Sequence, residues 1–151
     1  MNDAHLDAYD VARPVVIDSS KRMLLLIPYG PDEENCWTLP TVPMCSGETS
    51  RRAATRHLRK VAHLPPLRIS PLIGRLARRD VPQGFQYVLV VRSAAETWPP
   101  SVHFALAPEA CWWTTAELRS VGAVVDPAEL LDFMDGYWEG WLPDGEISLD
   151  E

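Results

Sequence analysis

Apolar positions along this chain fall mostly into short runs of period two broken by turn residues, with two stretches of helical period. Residues 13–17 and 22–27 are rich in β-formers and flank Asp-Ser-Ser-Lys, which predicts a hairpin. The second run, MLLLI at 23–27, does not alternate, the pattern of a strand covered on both faces. A polar loop is expected at 29–36, a short strand at Trp37 to Leu39 and another loop at 41–47. Residues 46–64, SGETSRRAATRHLRKVAHL, predict one amphipathic helix, capped by Thr49 or Ser46 and stopped by Pro65 and Pro66. Residues 67–79 and 85–93 predict two strands joined by a VPQG turn. Phe85, Tyr87, Leu89 and Val91 share one face, and Gln86, Val88, Val90 and Arg92 the other. Beyond a proline-containing loop, 102–106 predicts a short strand and 110–113 leads into a short helix near 116–120. For the last helix Asp126 is the expected N-cap, with Pro127 in the first turn and Glu129 at capping-box spacing. Leu130, Phe133 or Met134, Tyr137 and Trp141 form its expected buried stripe.

Strands, a helix, further strands and a final helix predict an α/β class, a mixed sheet with helices on its two faces. One domain is expected at 13–141, between a loosely held arm at 1–12 and a flexible acidic tail at 142–151. A content of 46% apolar and 23% charged residues is that of an ordinary globular domain. No apolar run approaches the roughly 20 residues that span a bilayer, and the acidic start, MNDAHLDAYD, lacks a signal-peptide pattern. The three cysteines have no CxxC spacing and are read as reduced thiols, so a cytoplasmic protein without a membrane partner is expected. The net charge of −7 is uneven: residues 126–151 hold nine acids and no base, and residues 1–125 hold 12 acids against 14 bases. Those bases are not interleaved with aromatics and the chain is acidic overall, so nucleic acid is not an expected partner. Attraction between the acidic tail and the basic helix, within a subunit or across a dimer, is the plain alternative to a ligand role for the arginines.

Three pieces of sequence stand in a telling order. Trp37-Thr38-Leu39-Pro40 precedes the helix; from Val42 there are five residues to Glu48, seven more to Arg56, then apolar Leu58 and Leu64. Trp112-Trp113-Thr114-Thr115-Ala116-Glu117-Leu118 precedes the last helix. Together they resemble the Nudix superfamily, with its W-x-L-P, its box (Gly, five residues, Glu, seven residues, Arg-Glu-apolar-x-Glu-Glu-x-Gly-apolar) and its W-x-(S/T)-x-x-E-L. The resemblance covers residues 13 to 141 and implies an α/β/α sandwich, a mixed β-sheet flanked by the box helix and a C-terminal helix. In the family, glutamates of the box hold Mg²⁺ or Mn²⁺, which polarises a diphosphate and helps generate the attacking hydroxide. Here His57, Lys60 and Val61 stand at those glutamates, and Val42 and His63 at the opening and closing glycines. Of the motif's acids only Glu48 is kept, beside the matching Arg56.

Hard divalent cations need several oxygen ligands, which an imidazole, an ammonium and an isopropyl group do not supply. Arg52, Arg56, Arg59 and Lys60 recur at three- and four-residue intervals, so several share one side of the helix. Two positive charges about 5–6 Å apart repel by roughly 3 kcal/mol at an effective dielectric near 20. A cation is opposed there and an anion attracted. The expected ligand set is therefore Arg52, Arg56 and Lys60, joined by Gln86, with no metal ligand and no cofactor. His57 is the candidate acid/base group, because imidazole titrates near neutral pH and nearby cations favour its neutral form. Its alternative is a histidine hydrogen-bonded beneath the loop. Glu48 is a second catalytic candidate, or the anchor of a salt bridge to Arg52 or Arg56. Cys45 lies near a helix N-terminus that stabilises a thiolate, and Glu109 falls near the place where some Nudix enzymes keep a further acid.

Three functions stand against one another. The first is a Nudix-fold protein without metal-dependent diphosphate hydrolysis that binds an anionic small molecule. Metal-free acid/base chemistry on that molecule would make it a repurposed biosynthetic enzyme. The second is a hydrolase of a nucleoside diphosphate derivative, with Mg²⁺ or Mn²⁺ on Glu48 and acids outside the box. The third is a non-catalytic interaction or dimer module that uses the aromatic, acidic C-terminal helix, with a homodimer as one form of it.

Overall fold

The computed structural model describes residues 9–27, 35–95, 97–106 and 109–150, without the side chains of 103–105. Most of the expected arm, most of the polar loop at 29–36 and the side chain of His103 lie outside the described residues. In chain order the elements are β1 (Val11–Ile17), β2 (Met23–Leu25), β3 (Cys36–Thr38), β4 (Val42–Pro43), α1 (Ser50–Leu58), β5 (Leu67–Ala77), β6 (Phe85–Ser93), α2 (Ser101–Leu106), β7 (Cys111–Trp113), α3 (Thr115–Ser120), β8 (Val124–Asp126), α4 (Leu130–Glu139) and β9 (Gly145–Ser148). The main sheet runs β7-β2-β1-β6-β5-β9, with β4 added against β1. It is mixed: β1/β6 and β5/β9 are parallel and the other pairs antiparallel. β3 and β8 pair in parallel as a small second sheet, and a Leu26–Thr38 bridge links it to the chain after β2.

All seven residues of β1 are buried, because helices cover both faces of the sheet. Val15 and Ile17 pack with Val88 and Val90 against Leu130, Phe133 and Met134 of α4. Val16 and Val91 join Leu58 and Val61 on the opposite side, where Ala12 and Leu89 also meet Ala53 and Ala54 of α1. The unbroken run at 23–25 divides the same way, Met23 and Leu25 toward α4 and Leu24 toward α1. Each such side chain contributes roughly 1.5–3 kcal/mol through burial. No helix among the described residues is long and apolar enough to cross a membrane.

The structure corrects several local expectations. α1 ends at Leu58 and not at Leu64. The chain leaves it through short-range bonds, Lys60 N–H to His57 O and Val61 N–H to Leu58 O, and turns at His63 (φ 57) to reach the two prolines. The strand expected at 102–106 is α2, whose Val102 N–H donates to Pro99 O and whose Val102 side chain is buried beside Leu58 and Val61. The prolines at 99 and 100, with φ fixed near −65°, favour that helical entry. Asp126 does not cap α4; it ends β8 and its carboxylate accepts from Arg13 and Thr38. α4 begins at Leu130 without a side-chain cap and stops at Gly140 (φ 74), so Trp141 turns outward, 64% exposed, and leaves the expected stripe. The expected flexible tail supplies β9, which pairs with the edge of β5. Gly74 makes room for it, since a Cβ there would stand 2.6 Å from Leu149 Cδ1. Glu146 pairs with Arg75 and Asp150 accepts from the Ala77 N–H, so these tail acids engage the sheet edge.

Candidate functional site

Thr49 caps α1 from an extended conformation, its Oγ1 accepting from the Arg52 N–H at 3.1 Å. The inner side of the helix carries Ser50, Ala53, Ala54 and Leu58, three of them small enough for close packing on the sheet. Its outer side presents Arg51, Arg52, Thr55, Arg56 and Arg59, which with Glu48 and Ile69 line an open groove of about 550 Å³. Arg51 and Arg52 stand in the first turn, where the helix dipole favours acids and none is present. Arg51 donates to Ser70 O at 3.1 Å, whereas among the described residues Arg52 and Arg59 make no side-chain hydrogen bond or ion pair.

Glu48 accepts three hydrogen bonds. Its Oε1 accepts from Arg56 Nη2 at 2.9 Å and from the Cys45 N–H at 3.0 Å, and its Oε2 from Arg56 Nε at 3.1 Å. Arg56 also donates to Pro43 O at 2.8 Å, so the pair laces the loop at 43–48 to the helix. The Arg56 hydrogen bonds, aided by the Cys45 N–H and opposed by burial, bring the Glu48 carboxyl down to about 2. Glu48 forms a salt bridge, and of the two partners expected for it the one it meets is Arg56. The loop takes its left-handed residue at Gly47 (φ 77), while Val42 and Pro43 run extended against Val11 and Ala12.

His57 is half-buried on the flank of α1 and does not line the groove. Its Nε2 is buried without a hydrogen-bond partner among the described residues, so that nitrogen makes no bond beneath the loop. Burial first, then the charges of Lys60 and Arg56, lowers its pKa to about 4, and the imidazole is neutral at pH 7. Lys60 is exposed beyond the end of the helix and does not line the groove either. Gln86 shares the α4 face of the sheet with Val88 and Val90, and its Oε1 accepts from Arg13 Nη1 at 2.6 Å. The expected ligand set is thus divided: Arg52 and Arg56 meet at the groove, and Lys60 and Gln86 lie elsewhere.

The pattern overlooked Arg13, which is 5% exposed inside an apolar strand. Its guanidinium donates to Pro40 O, Leu39 O, Thr38 Oγ1, Gln86 Oε1 and the Asp126 carboxylate. Burial lowers its pKa and Asp126 opposes the shift. With Thr41, Arg78, Asp80, Asp126 and Glu129 it lines a second groove of about 570 Å³. An arginine among valines in VARPVVI was the available signal, since buried arginines need partners. The W-x-T-x-x-E-L stretch has a structural role: Thr114 and Glu117 form a reciprocal capping box that starts α3 and sets Leu118 in the core. Cys45 is half-buried and Glu109 exposed, and no disulfide is formed.

Arg56 and the Cys45 N–H occupy both oxygens of Glu48, and among the described residues no three His, Cys, Asp or Glu side chains gather as a metal site. The residues present at this helix therefore do not fit the hard divalent cation that the fold family uses.

No family model and no curated protein matches the chain. Solved structures do. A NUDIX hydrolase from Nitrosomonas europaea superposes with a TM-score of 0.57 over 92% of this chain and 78% of its own, at 16% identity. The mutator protein MutT from Bacillus halodurans gives 0.54 over 92% and 86%, at 12% identity. A UDP-X diphosphatase gives 0.55 over 92% and 66%, at 9% identity. At such identities the likeness is one of fold. This mixed sheet flanked by helices is the Nudix fold, as the box spacing implied.

Proposed function

We propose that this Nudix-fold protein binds an anionic small molecule on the outer face of α1 and does not hydrolyse diphosphates through a metal held there. One observation carries the reading: the single box carboxylate, Glu48, is closed onto Arg56 in a groove also lined by Arg51, Arg52 and Arg59. Guanidinium groups match phosphate and carboxylate oxygens with paired hydrogen bonds, and Arg52 and Arg59 have theirs to offer. A divalent cation at the same place would face charge of its own sign. His57 stays neutral until the pH falls to about 4 and lies outside the groove, which favours binding over metal-free acid/base catalysis.

Calorimetry with inorganic pyrophosphate tests this. Binding is expected, weakened at least about tenfold in the Arg52→Gln/Arg59→Gln double variant, while Mg²⁺ and Mn²⁺ titrations show no site. A micromolar Mn²⁺ site that disappears in Glu48→Gln would overturn the reading. So would metal-dependent phosphate release from a nucleoside diphosphate derivative.

A further inference from the structure

A second concentration of positive charge lies on the α4 side of the sheet, near the Ile17 end of β1, and involves none of the α1 arginines. Arg68 of β5 and Arg92 of β6 are direct cross-strand partners, so their side chains leave the same face with Cβ atoms about 4.5–5.5 Å apart. Like charges in that arrangement destabilise a sheet unless something lies between them. Lys21, in the left-handed region at the hairpin turn (φ 62), borders the same hollow, its Nζ 5.8 Å from the Trp138 ring centroid. Among the described residues none of these three cations is paired with a carboxylate. Among the described residues the acid bordering the hollow is Asp18, and it is occupied within the hairpin. Its Oδ1 accepts from the Ser20 and Arg22 N–H groups, and its Oδ2 accepts from Arg22 Nε at 2.7 Å. The hollow has a volume of about 330 Å³. Three cations without carboxylate partners among the described residues thus border one concavity on a chain whose net charge is −7.

We propose that this groove is a binding site for a small phosphate monoester. Arg68 and Arg92 hold the dianion between them, Lys21 completes its neutralisation, and the Trp138 indole borders the organic part of the ester. A phosphate monoester fits better than a monocarboxylate because two guanidinium forks and an ammonium match three terminal oxygens and a double charge. The aromatic wall, and a volume larger than a phosphate fills, favour the ester over the inorganic ion.

Phenyl phosphate is the probe, titrated calorimetrically into the full chain alongside inorganic phosphate. It is expected to bind more tightly than phosphate, and Arg68→Gln/Arg92→Gln should weaken it at least about tenfold. Trp138→Leu should weaken phenyl phosphate while leaving inorganic phosphate within about twofold. Arg68→Gln/Arg92→Gln should leave the pyrophosphate affinity of the α1 groove within about twofold, so failure here is distinguishable from failure at α1. Thermal melts without phosphate check folding. Relief of the cross-strand repulsion predicts an equal or higher Tm for the double variant, and Arg92→Gln alone replaces it if it does not fold. Absence of binding, or binding untouched by the substitutions at 68 and 92, overturns the proposal.

Discussion

Arg13 is 5% exposed and the Arg56 side chain 47% exposed, yet each is paired with a carboxylate. Arg13 draws together β3, the segment leading to β4, β6 and β8 through bonds to Thr38, Leu39, Pro40, Gln86 and Asp126. Its desolvation is offset because its donors find acceptors on several sides. Arg56 ties one loop to one helix, through Glu48 and Pro43, in reach of water. Exposed pairs of that kind contribute about 0–1 kcal/mol. The difference is one of enclosure: the fold surrounds the charge of Arg13 and leaves that of α1 at the surface, where among the described residues Arg52 and Arg59 make no side-chain hydrogen bond or ion pair. Gln86 belongs to the partners of Arg13, which is why it cannot serve the groove on α1.

The comparison breaks most visibly at Arg13. Arg13→Leu leaves the Leu39 and Pro40 carbonyls without their guanidinium, and a loss of about 3–5 kcal/mol is expected in urea unfolding. A loss below about 1 kcal/mol would place Arg13 on a par with Arg56.

His57 gives the next largest effect. Its pKa falls from 6.5 to about 4 on folding, so between these values the unfolded chain binds the proton that the folded one refuses. Stability is therefore full above about pH 6.5 and declines as the pH drops toward 4, by up to about 3 kcal/mol. His57→Phe should flatten that segment of the urea midpoint against pH; an unchanged slope would show the imidazole to be solvated.

Glu48→Gln sharpens the contrast from the exposed side. Expected is a loss of about 1 kcal/mol at pH 7 and, with Arg56 released, tighter pyrophosphate binding. Because folding lowers the Glu48 carboxyl from 4.5 to about 2, its contribution is present above about pH 4.5 and lost as the pH falls toward 2. The variant should lack that acid limb, and weaker pyrophosphate binding in calorimetry would count against the groove. Asp126→Asn is expected to do least, under about 1 kcal/mol by urea unfolding, since its side chain is 70% exposed and Arg13 keeps its other acceptors.

The strands at 67–77 and 85–93, the Thr49 cap and the bond between Glu48 and Arg56 were legible in the sequence. Side-chain alternation, capping and contacts a turn or two apart are short-range matters. The Nudix fold was legible through a resemblance, carried by Trp37-Thr38-Leu39-Pro40, the spacing from Val42 to Leu64 and the stretch from Trp112 to Leu118. The helical form of 101–106, the role of Asp126 and the pairing of β9 depended on neighbours distant in the chain. Arg13 has partners 25, 26, 27, 73 and 113 positions away, beyond the reach of any local pattern. Alternation tells which residues share a face of the sheet but not which helix covers that face, so it does not separate Gln86 from the arginines of α1. Backbone geometry and periodicity act over a few residues and make the elements readable; which charges are buried, paired or left to solvent is decided only when distant segments meet.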